Sequence, residues 1–393
     1  MINEKMRMLG ARRSVIRETF EYGRKRKAEI GEENVYDFSL GNPSVPAPDC
    51  VNENLKALIE NESSVVLHGY TSAQGDASVR AAIAKYINET QGENVNADCL
   101  YMTVGAAAAL TCTLTALAGE GEEVIVLAPY FPEYKVFIER TGAVCREVLC
   151  HTDTFQPDIA AIEAAINEKT AAIIINSPNN PTGAVFTEES IIALTDLLKK
   201  KEKELSKTIY LIADEPYREL VYGDATVPYL TKYYDDTLIC YSYSKSLSLP
   251  GERIGYIAIP EGVSDGDSLY AAVCGSGRSL GYVCAPTLMQ KAVAACTGTA
   301  PNLENYRKNR DTLYAALTAM GYSCVIPDGA FYLFVRAPGG DAVAFSEKAK
   351  ELGLLVVPGD DFGCKGYLRI SYCVSESTVK NSLMAFGKAK DLF

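Results

Sequence analysis

One lysine, Lys245, lies in a run of small hydroxyl residues directly after the β-rich stretch 237–241, and Arg253 follows eight positions later, beyond a Pro-Gly turn. An amine at the end of a buried strand can condense with an aldehyde, while hydroxyls and a guanidinium can hold a phosphate dianion. A surface lysine in a Ser-rich turn is the alternative. The pattern predicts a reactive amine beside a phosphate, provided that other segments converge on the same place.

Four short apolar strands are predicted at residues 124–127, 171–175, 208–213 and 237–241, with helical stretches between them. This alternation is typical of an α/β protein with a mostly parallel sheet covered by helices on both faces. Ligands of such sheets bind outside the carboxyl ends of the strands. The side chains that lie at those ends are Phe131, Asn180, Asp214, Tyr217 and Lys245. We therefore expect these five to surround one crevice.

Three glycine-containing segments could also contact a ligand. Gly105 precedes the alanine run 106–109 at the start of an apolar helix, where free N–H groups can bind a phosphate. A tightly packed core helix is the alternative. Gly41 would let a ligand approach the backbone closely, unless it only forms a turn. Tyr70, in a loop between glycines, could reach a ligand or another subunit.

A smaller α/β domain is predicted after residue 285, with strands at 322–326, 331–335, 354–357 and 367–371. We expect a segment 1–45 that joins this small domain, a large domain 46–285 and a small domain 286–393. Arg369 lies between apolar residues of the last strand, and a buried charge requires a partner. A carboxylate of the protein itself, in a structural ion pair, is one possible partner. Arg278 lies in a glycine-rich stretch whose spacing does not fit a dinucleotide site, and it could face a substrate.

Composition excludes several classes of function. The chain has 393 residues, is 48% hydrophobic and carries a net charge of -12, which argues against nucleic-acid and anionic-membrane partners. It has only two histidines, so a His-based triad or a zinc site is not expected, and we predict no metal. Its 12 cysteines form no C-x-x-C pair, and no apolar run is long enough to span a membrane. A cytoplasmic protein is expected.

Four motifs occur in a characteristic order: Asn176-x-Pro178-x-Asn180-Pro181-Thr182-Gly183, Asp214-Glu215-x-Tyr217, Ser242-x-Ser244-Lys245 and Pro250-Gly251-x-Arg253-x-Gly255. With them, the chain resembles the class I/II aminotransferases, the fold-type I, aspartate aminotransferase-like family that uses pyridoxal 5'-phosphate (PLP). The resemblance extends from Gly41 to Arg369. It implies a two-stage, ping-pong transfer of an amino group between an L-amino acid and a 2-oxo acid.

The resemblance also implies roles for residues around the cofactor ring. Lys245 would hold PLP as a Schiff base and then move the proton between the substrate Cα and the cofactor C4'. Asp214 would keep the pyridine nitrogen protonated. Asn180 and Tyr217 would bond to the phenolic oxygen, and Phe131 would stack on the ring.

The resemblance further implies ligands for the cofactor phosphate and for the substrate. The implied phosphate and further cofactor ligands are Gly105, Ala106, Ala107, Ser242, Ser244, Arg253 and, from the partner subunit of a homodimer, Tyr70. Arg369 would hold the substrate α-carboxylate, with Gly41 and Asn180 assisting.

Two departures leave the substrate open. Ala107 stands where an aspartate-using subgroup of the family has a lysine, and the chain has no tryptophan, so Phe131 replaces the stacking tryptophan of many aspartate-specific members. Arg278 is then the remaining candidate to bind the side-chain carboxylate of a dicarboxylic substrate. Aspartate, an aromatic or an aliphatic amino acid all stay possible as the substrate. Two alternative functions share the fold: a PLP-dependent C–S β-lyase and a PLP-binding module of a transcription regulator.

Overall fold

The computed structural model describes residues 2–11 and 14–393, and its main element is a large twisted sheet. The strands in chain order are β1 (Tyr36–Asp37), β2 (Leu100–Thr103), β3 (Glu123–Ala128), β4 (Val144–Leu149), β5 (Thr170–Asn176), β6 (Tyr210–Asp214), β7 (Thr237–Ser242), β8 (Gly255–Ala258), β9 (Ser323–Cys324), β10 (Tyr332–Arg336), β11 (Leu354–Leu355), β12 (Val357–Pro358) and β13 (Tyr367–Ser371). Seven of them, among the described residues, form the large sheet in the order β2-β8-β7-β6-β5-β3-β4.

Strand direction brings the candidate residues to one edge of this sheet. Strands β3 to β7 pair in parallel, whereas β8 runs antiparallel to both of its neighbours, β7 and β2. The carboxyl ends of β2, β3, β5, β6 and β7 therefore share an edge with the start of β8. Arg253 precedes β8, so the antiparallel strand brings its guanidinium to the same edge as Lys245, which follows β7. The mostly parallel α/β sheet predicted from the sequence is confirmed.

Helices cover both faces of the sheet. They are α1 (Glu4–Ala11), α2 (Val15–Ile30), α3 (Asp49–Asn61), α4 (Ser64–His68), α5 (Ala77–Gln91), α6 (Ala106–Leu117), α7 (Glu133–Arg140), α8 (Ile159–Ala165), α9 (Glu188–Leu205), α10 (Tyr243–Ser246), α11 (Gly266–Ser279), α12 (Thr287–Ala294), α13 (Glu304–Ala319), α14 (Ala342–Glu351) and α15 (Glu376–Lys390). Helices α6, α7 and α11 pack on one face, and α5, α9 and α12 on the other.

The continuous apolar strands follow from this double cover. In β3, Val124 and Val126 join the core with α6, whereas Ile125 and Leu127 join the opposite core with α5 and α9. Successive side chains of a strand point to opposite faces, so a strand covered on both sides needs an apolar residue at every position. All six residues of β3 are accordingly buried.

A four-stranded antiparallel sheet, β12-β13-β10-β9, forms a second core with helices α13 to α15, and the short β1 pairs in parallel with β11. Arg369 lies in β13 opposite Phe334 of β10, so both side chains point to the same face. The division into 1–45, 46–285 and 286–393 stays a prediction. None of the helices in the described part of the chain has the length and apolar composition needed to cross a membrane.

The sequence also predicts a loop around Lys245 and a short strand over residues 35–40, and the structure differs from both predictions. The hydroxyl-rich segment around Lys245 is not a loop but a one-turn helix, α10, because Ser242 caps it by accepting a hydrogen bond from the Ser244 N–H. The strand expected at 35–40 is regular only at Tyr36–Asp37. Beyond that point the backbone bonds to other groups: the Ser39 carbonyl accepts from Arg369 and the Gly41 carbonyl accepts from Lys245.

Candidate active site

A cavity of about 230 Å³ opens at the carboxyl edge of the large sheet, between it and the small antiparallel sheet. Its lining includes most of the residues predicted from the sequence: Gly41, Ala106, Ala107, Phe131, Asn180, Asp214, Tyr217, Ser242, Ser244, Lys245, Arg253 and Arg369. Gly105 precedes this lining at the start of α6. Most of these residues follow β2, β3, β5, β6 or β7, whereas Arg253 precedes β8, Gly41 follows β1 and Arg369 lies in the small sheet, so the crevice expected from strand order exists.

Lys245 projects into the cavity from α10. Its Nζ donates a 2.7 Å hydrogen bond to the Gly41 carbonyl and lies 5.5 Å from the centre of the Phe331 ring. Burial lowers the pKa of Lys245 to about 8, with the positive charges of Arg253 and Arg369 acting in the same direction. A larger share of this amine is therefore neutral near pH 7 than of an ordinary lysine. A neutral amine is the form that attacks an aldehyde.

Asp214 ends β6 with its carboxylate at the floor of the cavity, only 4% exposed. One oxygen, Oδ2, accepts hydrogen bonds from the Tyr134 hydroxyl and from Asn176 Nδ2 at 3.4 Å. The other, Oδ1, is buried without a partner among the described residues. Burial raises the pKa of Asp214 to about 7. An unpaired oxygen of this kind fits a protonated ring nitrogen, which would supply both a hydrogen bond and a positive charge.

The first turn of α6 and Arg253 form a cradle for an anion. Helix α6 starts after Gly105 without a side-chain cap, which leaves its first N–H groups free. Gly105 has φ +88°, and a Cβ there would lie 2.8 Å from Arg253 Nη2, so only glycine allows this approach. Ser242 and Ser244 bring two hydroxyls, 2.8 Å apart, to the same wall. Amides, hydroxyls and a guanidinium are the donors that a phosphate requires.

Arg369 is a buried cation, 2% exposed, at the end of the cavity next to the small sheet. Its Nη1 donates to Asn180 Oδ1 at 3.1 Å and its Nη2 to the Ser39 carbonyl at 2.5 Å. No salt bridge joins it to a carboxylate of the described residues, and its Nε has no partner there. The ion pair considered as an alternative is thus not found. A buried guanidinium without a counter-ion fits a carboxylate ligand.

Tyr217 and Tyr332 form a hydrogen-bonded pair next to Arg369. Their hydroxyls are 2.8 Å apart, and the Arg369 guanidinium lies 4.9 Å from the centre of the Tyr332 ring. Burial raises the pKa of Tyr217 well above its ordinary value. Both tyrosines are therefore neutral hydrogen-bonding groups at physiological pH.

Several residues in or beside the cavity are not predicted from the sequence. At Tyr332 the sequence predicts only a strand, although this residue lies two positions before Phe334, which pairs with Arg369, and is therefore on the same face. Tyr134 and Asn176 donate hydrogen bonds to Asp214, and the sequence assigns Asn176 to a motif without giving it a role. Ile16 and Leu40 also line the cavity, and as apolar residues they give no signal of a site in the sequence.

Besides Gly105, two predicted residues do not line the cavity of their own chain. Tyr70 is 90% exposed between α4 and α5. Arg278 is exposed in the last turn of α11. Phe131, half-buried after β3, does line the cavity and makes an edge contact with Tyr134. Within residues 2–11 and 14–393, no group of His, Cys, Asp or Glu side chains is arranged to hold a metal ion.

The chain is similar to known proteins in both sequence and structure. The family model described as aminotransferase class I and II matches residues 33–386. An aspartate aminotransferase of Thermotoga maritima is 31% identical over 375 residues, which cover 94% of this chain and 95% of that protein. An aspartate/prephenate aminotransferase of Thermus thermophilus is 31% identical and covers 89% of this chain and 90% of its own length. The crystal structure of an amino transferase from Eubacterium rectale has a TM-score of 0.98 and 56% identity, covering 100% and 99% of the two chains.

Proposed function

The chain belongs to the class I and II aminotransferases, and we propose that it transfers an amino group between an L-amino acid and a 2-oxo acid by a ping-pong mechanism. The observation that carries the proposal is one cavity that holds three groups without an oppositely charged partner among the described residues. These are the Lys245 amine with its pKa lowered to about 8, the unpartnered Asp214 Oδ1 and the Arg369 cation without a carboxylate. An aldehyde would react with Lys245, a ring nitrogen would hydrogen-bond to Asp214, and a substrate carboxylate would pair with Arg369.

The family uses PLP, and the cavity residues fit this cofactor. Lys245 would bind its aldehyde, Asp214 its pyridine nitrogen, and Arg253 with the first amides of α6 its phosphate. The further cofactor ligands we propose are Phe131 against the ring face, Asn180 and Tyr217 at the phenolic oxygen, and Gly105, Ser242 and Ser244 around the phosphate. When bound, PLP supplies an electron-withdrawing ring that stabilises the carbanion formed at the substrate Cα.

Each side chain then has a defined task in the reaction. Lys245, once free, would act as the general base that takes the proton from the substrate Cα and then as the general acid that delivers it to the cofactor C4'. Asp214, which Tyr134 and Asn176 hold in place, keeps the ring nitrogen cationic by its negative charge. Arg369 fixes the α-carboxylate together with Gly41 and Asn180, so that the Cα–H bond points towards Lys245.

We include a homodimer in the proposal. Tyr70 has a large side chain that is nevertheless 90% exposed, and it does not line the cavity of its own chain. Its hydroxyl would complete the phosphate site of the partner subunit. Arg278, exposed at the end of α11, would likewise contact a substrate across such an interface.

The proposed function is tested by a half-reaction. The PLP-loaded protein is mixed with single L-amino acids, and absorbance follows the conversion of the bound cofactor from its aldehyde to its amine form. At least one common amino acid should convert it fully, and a 2-oxo acid should restore the first spectrum. If no amino acid converts it, the transfer function is wrong. Release of pyruvate from a cysteine-type substrate without a 2-oxo acid would instead favour the β-lyase.

Arg369→Lys tests the carboxylate contact. Lysine keeps the positive charge but cannot form the two parallel hydrogen bonds of a guanidinium, so kcat/KM for the amino donor should fall by about 10²-fold or more. Steady-state kinetics measure the change. Arg310→Lys is the matched control, because Arg310 also lies over a tyrosine ring, at 4.4 Å from that of Tyr222, but pairs with Asp311. Equal losses in both variants would contradict the role of Arg369.

A further inference from the structure

Two buried tyrosine hydroxyls meet inside the cavity. The Tyr217 hydroxyl lies 2.8 Å from the Tyr332 hydroxyl, and neither has another hydrogen bond in the described part of the chain. The two residues are only 5% and 2% exposed. A hydroxyl has a single proton, so one tyrosine of the pair must donate and the other must accept. The accepting tyrosine keeps its own proton for a further partner, which in this cavity would be a ligand.

The surroundings of the pair indicate which hydroxyl donates. The Arg369 guanidinium lies 4.9 Å from the centre of the Tyr332 ring. Burial raises the pKa of Tyr332 to about 12, with the charge of Arg369 acting in the opposite direction, whereas burial raises the pKa of Tyr217 further. Asp214, near Tyr217, and Cys373, near Tyr332, are the other titratable groups that act on the pair. A donor next to a positive charge gives the stronger hydrogen bond, which makes Tyr332 the donor.

Backbone and side-chain contacts hold the two tyrosines at this distance. Tyr217 follows β6 of the large sheet, and Tyr332 begins β10 of the small sheet. The Ala330 N–H donates to the Leu220 carbonyl at 2.8 Å, and the Tyr222 hydroxyl donates to the Ala330 carbonyl at 2.6 Å. The segment after Tyr217 and the segment before Tyr332 are therefore fixed to each other.

Gly41 lies against the other side of the Tyr332 hydroxyl. A Cβ atom at position 41 would overlap this hydroxyl, so only glycine allows the backbone to pass so close to it. The close backbone leaves little room for another side chain beside the Tyr332 hydroxyl, which favours its bond to Tyr217.

We propose, building on the aminotransferase function above, that Tyr332 is a positioning residue that donates a hydrogen bond to Tyr217 and so directs the Tyr217 proton to the phenolic oxygen of PLP. Tyr332 acts through Tyr217 and not by contact with the reacting atoms. A hydroxyl that accepts one hydrogen bond donates a stronger one, because the two bonds polarise each other. This bond stabilises the negative phenolic oxygen, which lowers the pKa of the nitrogen that joins Lys245 to the cofactor.

A pH titration of the bound cofactor's absorbance tests this role without turnover. Tyr332→Phe removes only the hydroxyl, so the pKa read from the absorbance of the PLP-loaded protein should rise by about 0.5 or more. Tyr217→Phe should raise this pKa further, because it removes the contact with the phenolic oxygen itself. In the double variant, the substitution at position 332 should add no further rise, since Tyr332 would act only through Tyr217.

Tyr322→Phe provides the control for loss of a buried hydroxyl. The Tyr322 hydroxyl donates to the Phe386 carbonyl at 2.9 Å in the core between the small sheet and its helices, away from the cavity. Its loss should leave the pKa of the bound cofactor unchanged, even where thermal unfolding shows a lower stability. Tyr332→Phe with a lower thermal stability and an unchanged pKa would show a structural role only, which would overturn the proposal.

Three results distinguish the role of Tyr332 from the function of the protein. If Tyr217→Phe raises the pKa and Tyr332→Phe does not, or if the two effects add in the double variant, the role of Tyr332 is wrong, while the aminotransferase function stands. If Tyr217→Phe also leaves the pKa unchanged, Tyr217 does not contact the phenolic oxygen, and the positioning role fails with that contact. If no amino acid converts the cofactor, the aminotransferase function alone fails, because the titration requires no substrate.

Discussion

Lys245→Ala should lower kcat by at least about 10⁴-fold, the largest loss expected for any single substitution in this protein. The reason is that one amine would both bind the cofactor and transfer the proton at the substrate Cα. It lies in the cavity 2.7 Å from the Gly41 carbonyl, with a pKa lowered to about 8 by burial. Alanine removes the nucleophile and the base together. Stopped-flow measurement of the half-reaction with the best donor amino acid gives the rate directly.

A small amine added to Lys245→Ala provides the control for folding. Methylamine should restore part of the half-reaction rate in proportion to its concentration, because a free amine can diffuse into the space left by the lysine and act as base. Lys348→Ala, which removes an exposed lysine paired with Glu351 on α14, should keep the natural rate. Activity of Lys245→Ala within ten-fold of the natural protein would exclude lysine as the base.

Asp214→Asn is the second substitution with a large expected effect, a loss of about 10²–10³-fold in kcat. Asparagine has the same shape and can still bond to Tyr134, but it has no negative charge to keep the ring nitrogen protonated. The buried Oδ1 of Asp214, which has no partner among the described residues, is the observation that supports this role. The half-reaction rate and the dissociation constant of PLP should both change.

Asp236→Asn separates this effect from a general loss of stability. Asp236 is also buried, but it accepts hydrogen bonds from Ser264, away from the cavity. Its substitution should leave the pH dependence of the bound cofactor's absorbance unchanged, whereas Asp214→Asn should alter it, because only Asp214 would contact the ring. An unaltered absorbance spectrum and a kcat above one tenth of normal in Asp214→Asn would contradict the assignment.

Much of the site could be predicted because one topological rule applies to separate segments. Phe131, Asn180, Asp214 and Lys245 each follow a short apolar strand, and parallel strands end at the same edge of the sheet. Recognising those strands was therefore enough to bring the residues together, although they are far apart in the chain. The mostly parallel sheet and the aminotransferase family are confirmed, whereas the domain boundaries and the individual residue roles stay predictions.

The remaining parts depend on contacts that local sequence does not encode. Tyr332 reaches Tyr217 because β10 pairs with β13 in one register, which no motif specifies. Leu40 and Ile16 are ordinary apolar residues until the cavity places them beside the reactive amine. Tyr70 differs from these residues because its proposed contact is with a second subunit.

Borohydride reduction followed by peptide mapping shows directly whether Lys245 binds the cofactor covalently. Borohydride converts the C=N bond between a lysine and the PLP aldehyde into a stable amine. After proteolysis, we expect a pyridoxyl group on the peptide that contains Lys245, and none in Lys245→Ala. A pyridoxyl group on another lysine, or none in the PLP-loaded natural protein, would contradict it.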